Sequence, residues 1–553
     1  MGTEDQSPAP RRSRAIWVSG ATGAWLGLAA GSAVGASHIA AQGYAADGLW
    51  LNALRTLSDA ALPAVAAGTG LGLALGALWA HRSGRARPPG APGAGSPRAA
   101  VGLVVALAIA VGLEAGEQVW ISQRAAVPGR LNVLLLLVDT LRADHLGVYG
   151  YDRETSPTID RLAARGTLFT RAISPADKTR TAMASLWTGL YPSRHGLFTR
   201  ETALSPRFHT AAEWAREAGY RTAAFAPNPS LDRRFGHAQG WDLYVDRALR
   251  ASGCSDVPEV CFETARRIQS RALDWLESGS DRPFLLWMHY RDVHGPYVPP
   301  PPYDGMFQSE TVRPISPREA RRRDRYLDLP DDGGDLNHYL DRYDGGIRYT
   351  DDRIAEFLSE LEDRGWLENT LIVIAADHGE EFLDHGQWNH GQSLYEELLH
   401  VPLVVLWPGA EPRVETRPIS TLAFFPTILR AMGLDPPASD GVDVTPLVRD
   451  GVEVALPETV FSERKRGAMR SVRRGDWKRI ENEADGWMAL FDVGEDPQEH
   501  DDRSRSAPTV AADLSERLHR FADEVERNTD APPSQIALDE ELRQRLEALG
   551  YVE

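Results

Sequence analysis

The chain reads as an α/β protein, a mostly parallel sheet sandwiched by helices, with a smaller C-terminal subdomain and a run of apolar segments ahead of it. Three observations predict this. Leu131 to Val138 (LNVLLLLV) and Leu371 to Ala376 (LIVIAA) are continuous apolar runs, as expected of strands buried on both faces of a parallel sheet. Further strand-like runs at 221–226, 283–288, 401–407 and 458–462 alternate with helical patterns, including 262–277, 350–364 and 421–432. Both long apolar runs end in acid: Asp139 follows the first, and Asp377 with His378 follows the second.

In chain order, residues 1–125 form a membrane region. Ala/Gly-rich apolar stretches near 15–41, 60–80 and 99–118 each come close to the roughly 17–25 residues that cross a bilayer, the third being the shortest and ending at Glu114 and Glu117. Arg11, Arg12 and Arg14 precede the first span, and Arg82, Arg85, Arg87 and Arg98 lie between the second and third, which marks both segments as cytoplasmic. The reading is a multi-pass protein of the cell (inner) membrane, with everything after about residue 120 extracytoplasmic, or periplasmic. A cleaved signal peptide over 11–42 is the alternative, and it leaves two apolar segments unexplained. Pro88 to Pro97 (PPGAPGAGSP) is a linker.

Residues 126–455 are expected to form the main α/β domain. Its first strand, 131–138, leads to a helix with Ser156 as N-cap, Pro157 in the first turn and Gly166 at the end. Residues 301–335, rich in Pro, Arg and Asp, read as an irregular surface insertion. Residues 456–553 form the C-terminal subdomain, with amphipathic helices at 508–526 and 537–549.

The formal charge of -18 over 553 residues excludes a generally basic nucleic-acid binder. The only cysteines, Cys254 and Cys261, fit either a local disulfide or two unpaired thiols, and neither reading makes them catalytic.

In open parallel sheets the site lies beyond the carboxyl ends of the strands, so Asp139, Asp377 and His378 are expected to converge on one crevice and hold a divalent cation. At this point VDTLRADHLGVYGY (138–151), TSPTIDRLAARGTLFTRA (155–172), ASLWTGLYPSRHG (184–196), HYRDVHGPYVPP (289–300), AADHGEEFLDHG (375–386), NHGQSLYEELLHVPL (389–403), LFDVGEDPQE (490–499) and LEALGYVE (546–553) together resemble the sulfatase family of the alkaline phosphatase superfamily, in its order. The resemblance implies an alkaline-phosphatase-like fold and an ester-cleaving enzyme.

It also implies residue roles. The family's nucleophile, a Cys or Ser converted to formylglycine, falls ten residues before Gly189, at Thr179. Threonine cannot form that aldehyde hydrate and is similar instead to relatives that transfer phosphoryl or phospholipid groups on an unmodified Thr. Met183 stands where the family's Arg is expected, and Asn228 and Ser230 stand for the Lys and His of its GKWHLG-like stretch. A threonine hydroxyl needs activation, which coordination to the cation would give, making Thr179 both nucleophile and metal ligand. Lys178 and Arg180 flank it as substrate-binding cations. Thr140 replaces a second Asp found in many calcium sulfatases, which favours zinc, manganese or magnesium over calcium. His294 is implied to bind a substrate oxygen or protonate the leaving group, His390 to approach the metal or the leaving oxygen, and His385 to support a second metal. His289 and His195 are as readily structural. Arg142 is expected to fix the loop after the first strand, and Tyr395, Glu396 and Glu397 to brace their helix.

The expected function is transfer or hydrolysis of a phosphate-type ester through a covalent Thr179 intermediate, on a substrate such as an envelope lipid or glycan. A sulfuric ester hydrolase is the alternative, and a catalytically silent binding module the second. No nucleic-acid partner is expected.

Overall fold

The computed structural model describes residues 130–246, 264–279, 282–320, 334–464, 468–527, 534–536 and 543. The three membrane-span stretches, Cys254, Cys261 and all but residue 543 of the helix expected over 537–549 lie outside these. Among the described residues no helix is long and apolar enough to cross a membrane.

The main sheet has nine strands: β1 (Asn132–Val138), β2 (Thr167–Ile173), β3 (Arg221–Phe225), β4 (Leu243–Val245), β5 (Phe284–Tyr290), β6 (Thr370–Ala376), β7 (His400–Leu406), β8 (Arg413–Glu415) and β9 (Ile419–Ser420). Their order is β8-β2-β7-β6-β1-β5-β3-β4, with β9 also on β2. The expected parallel arrangement holds everywhere except at β7, which runs against both β6 and β2. The reason lies in the connection. After β6 the chain stays at the carboxyl end, where Gly379 N–H donates to Leu398 O and Glu380 N–H to Glu397 O, so it re-enters the sheet from that end; a parallel return would need a crossover.

Helices α1 (Pro157–Ala163), α2 (Thr179–Thr188), α3 (Ala211–Glu217), α4 (Thr264–Glu277), α5 (Leu336–Asp363) and α6 (Phe424–Ala431) form the outer layers. α6 packs with α2 and α3, while α5 packs with α1 and α4. Ser156 occupies the N-cap position of α1 without capping it; Asp351 on α5 accepts the Thr158 and Ile159 N–H groups at 2.8 Å each. α5 begins well before the expected 350 because Gly345 and Gly346, which look like breakers, let the helix pass close to the Tyr303 and Asp292 carbonyls. β1 sits at the centre, with Val133 to Leu137 all at 0% exposure, and each such side chain contributes about 1.5–3 kcal/mol by burial.

The C-terminal part is an antiparallel sheet of β10 (Val460–Arg464), β11 (Met469–Arg474), β12 (Trp477–Asn482) and β13 (Trp487–Asp492), covered by α7 (Pro508–Arg527) through Leu514 and Leu518. The segment 301–320 is mostly irregular and exposed, as its composition predicts.

Candidate active site

The site is set by strand register. Val138 at the end of β1 pairs with Ala376 of β6 on one side and Tyr290 of β5 on the other, and the Asp139 N–H donates to Tyr290 O at 2.8 Å. Asp139 and Asp377 therefore leave the sheet side by side, both buried. Between them Thr140 adopts φ 58°, costly for a β-branched residue, and is held by Tyr343 Oη donating to its carbonyl at 2.7 Å.

Thr179 reaches the same crevice from β2. Beyond that strand Ser174 Oγ donates to Asp377 O at 2.5 Å, and the chain turns into α2 with Lys178 as N-cap and Thr179 as the first helical residue. Thr179 Oγ1 lies 3.1 Å from His378 Nε2 and 3.5 Å from Asp139 Oδ1. His378 Nδ1–H donates to Gly379 O at 2.8 Å, which leaves the Nε2 lone pair facing Thr179 and the carboxylates.

The carboxylates have opposite environments. Burial disfavours the Asp139 charge, but His294, His289 and His378 outweigh it and hold this carboxyl well below its usual range. Burial and the nearby Asp139 push Asp377 upward against the pull of His378. Burial works against the His378 cation, yet Asp377 and Asp139 raise its pKa. One ligand atom from each of Asp139, Asp377 and His378 lies within 4.8 Å of the others, and Asp377 Oδ2 is buried without a hydrogen-bond partner. Two buried carboxylates and an imidazole so arranged fit a divalent cation. His289, fully buried, brings Nε2 to 3.4 Å from Asp139 Oδ2, and Asn228 Nδ2 donates to the same oxygen at 2.6 Å.

His294 and His390 join this group. The His390 ring centroid is 4.3 Å from that of His378 and 5.1 Å from that of His294. Burial lowers His294 to about 4 and His390 well below the ordinary imidazole range, so both are neutral at pH 7. His390 Nδ1–H donates to Glu380 Oε1 at 2.8 Å, and burial raises that carboxyl to about 7. Lys178 lies against Gly391, where an added Cβ would strike its aliphatic stem, and its charge reaches His390.

Other expected residues are placed elsewhere. Arg180 donates to the carbonyls of Ser230 (3.4 Å) and Thr199 (3.1 Å) with its guanidinium 3.7 Å from the Phe235 ring centroid, which braces α2. His385 bonds Glu397 at 2.8 Å and stacks on Tyr395 at 3.4 Å, outside the three-ligand group. His195 bonds Ser185 Oγ at 2.9 Å and the Leu197 N–H at 3.1 Å, a structural role. Arg142 ties the loop after β1 to Glu380 O and Asp384, as expected. Glu380 lies outside the site residues expected from sequence; its signal there is an acidic pair, Glu380 and Glu381, directly after the buried strand end.

Comparison with known proteins covers this same stretch. The family model described as Sulfatase matches residues 131–434. Human arylsulfatase K is 25% identical over 476 residues, covering 76% of this chain and 86% of its own. The uncharacterized sulfatase YidJ of Escherichia coli K12 is 25% identical over 347 residues, 56% of this chain and 69% of its own. Among solved structures, the phosphonate monoester hydrolase of Agrobacterium radiobacter superimposes with a TM-score of 0.60 at 22% identity, covering 72% of this chain and 96% of that one. The Silicibacter pomeroyi phosphonate monoester hydrolase gives 0.61 at 20% identity, covering 74% and 98%. These structural likenesses show the fold. The family match spans more than half of the chain and includes Asp139, Thr179, Asp377 and His378, and on that ground the chain belongs to the sulfatase family of ester-acting hydrolases.

Proposed function

We propose that this sulfatase-family hydrolase is membrane-anchored and metal-dependent, and that it cleaves or transfers a phosphate-type ester group through a covalent ester on Thr179. The observation that carries this is the position of Thr179 Oγ1 at the start of α2, between His378 Nε2 and Asp139 Oδ1. A secondary alcohol cannot be oxidised to the aldehyde that formylglycine chemistry needs, so the hydroxyl itself must attack. Asp139, Asp377 and His378 would hold the cation, with zinc, manganese or magnesium favoured over calcium because Thr140 supplies no carboxylate. When bound, the cation supplies positive charge that favours the alkoxide and screens the substrate anion.

The rest is done by the chain. The bond from Thr179 Oγ to phosphorus forms as the bond to the departing alcohol breaks, and His294 or His390, neutral beforehand, takes up the Thr179 hydroxyl proton and passes it to that departing oxygen. Water, or an acceptor hydroxyl or amine, then displaces Thr179. The apolar N-terminal stretches support a periplasmic catalytic domain on a cell-membrane anchor, and with it an envelope lipid or glycan substrate.

The test is turnover by the full chain on paired aryl sulfate, phosphate monoester and phosphodiester substrates, with zinc, manganese, magnesium or calcium, beside Thr179→Ala. Metal-dependent phosphoester cleavage lost in the variant supports the reading. Preferred aryl sulfate turnover supports the second reading, a sulfuric ester hydrolase, which the names of relatives such as arylsulfatase K and the choline-sulfatase of Rhizobium meliloti favour.

A further inference from the structure

We infer that Arg291 is a substrate-binding residue whose guanidinium holds an anionic oxygen of the tetrahedral group beside His294 and so selects groups bearing two negative charges; this rests on the phosphate-ester reading above. Position is the first ground. Arg291 directly follows Tyr290, the residue paired with Val138 at the end of β1 and bonded through its carbonyl to Asp139. Three neighbouring strands, β6, β1 and β5, thus deliver Asp377, Asp139 and Arg291 at one level. Arg291 is 4% exposed and lines a recess with Asp292, His294, Pro296 and Val298. A guanidinium is a planar fork that matches two phosphate oxygens, and a buried one at a site mouth is suited to an incoming anion. Its charge also reaches the reacting centre, where it opposes protonation of both His294 and His390.

Charge balance is the second ground. Asp139 and Asp377 would together neutralise a divalent cation, so the charge of the substrate would be met by other residues of the chain. Asn228, in the family's Lys position, is neutral and bonded to Asp139. The Arg180 guanidinium faces the Ser230 and Thr199 carbonyls and the Phe235 ring. Lys178, packed against Gly391 next to His390, and Arg291, in the recess with His294, are cations placed at the site, and together they match the two charges of a phosphate monoester. A sulfate ester or a phosphodiester brings one charge and leaves one cation unmatched.

The experiment uses the full chain in detergent as wild type, Arg291→Met, Arg291→Lys and Thr179→Ala. Two readouts are taken: thermal stabilisation by inorganic phosphate, and kcat/KM for an aryl phosphate monoester against the methyl diester of the same leaving group. Arg291→Met is expected to weaken phosphate binding and monoester kcat/KM about 10- to 100-fold, with a distinctly smaller loss on the diester. Arg291→Lys, which keeps the charge without the fork, is expected to fall between. Unchanged phosphate affinity, or equal losses on both substrates, overturns the inference. If Arg291→Met does not fold, Arg291→Lys decides: a monoester-selective loss upholds the inference and wild-type behaviour overturns it. Turnover surviving in Thr179→Ala would sink the phosphate-ester reading, whereas phosphate affinity that still drops when Arg291→Met is added to Thr179→Ala would leave the anion site standing.

Discussion

Glu380 anchors His390: its Oε1 accepts the ring Nδ1–H at 2.8 Å, and the two side chains are only 1% and 7% exposed. The bond fixes both the tautomer and the plane of an imidazole whose ring lies tilted against that of His378. Glu380→Ala should lower kcat about 10- to 100-fold with little change in KM, the usual cost of removing a partner that orients a functional histidine. Glu380→Gln, whose amide oxygen can still accept, should lose less. Steady-state kinetics beside melting curves check this; equal losses in both variants would count against it.

Asp377 bears on stability in two opposite ways. Without a cation its buried carboxylate faces Asp139 and has an oxygen with no hydrogen-bond partner. Asp377→Asn should therefore stabilise the protein without a cation by about 1–3 kcal/mol, and should abolish the rise in melting temperature expected when a divalent ion is added to the wild type. Melting with and without chelator, together with metal analysis, measures both.

Lys478 on β12 is 2% exposed and lies 3.0 Å from both Glu396 and Glu499. Lys478→Met leaves buried carboxylates short of a counter-charge and should cost about 3–5 kcal/mol in urea unfolding. Adding Glu499→Gln should recover much of that loss. A double variant no more stable than the single one would show that the pair does not act as a unit.

Asp351 carries a pH signature. Burial raises its pKa to about 6 from 3.8, against the opposing pull of the Ile159 and Thr158 N–H groups. An acid whose folded pKa is raised loses stability as pH climbs from the unfolded value to the folded one, here from about pH 4 to about pH 6. The stability of Asp351→Asn relative to wild type should rise across that window by up to about 3 kcal/mol and then level off. Chemical denaturation at four or five pH values gives the curve; a flat difference would refute it.

Legibility in the sequence followed burial on both faces. β1 and β6 could be read because their residues are uniformly apolar, and the acids that end them mark the crevice. Thr170 and Arg171 interrupt the apolar pattern of β2 where it is only half-buried, so its sequence alone does not signal a strand. The reversal of β7 depends on where the loop after β6 stays, and no local pattern encodes that. The first half of α5 was hidden by Gly345 and Gly346, whose purpose is a close backbone approach visible only in three dimensions. The family resemblance points to Thr179 through its distance from Gly189, whereas the partnership of Glu380 with His390 requires both sides of a folded loop.

The central place of β1 has a consequence for how the protein is made. β1 is the first described strand to leave the ribosome, yet its two neighbours begin only at Phe284 and Thr370. At about 5–20 residues per second the wait is on the order of 10 to 50 seconds, during which one of the most apolar segments of the domain has no edge to join. Nascent chains of this protein are thus expected to need a holding factor for most of their synthesis, and truncations that stop short of residue 376 should aggregate rather than fold in part.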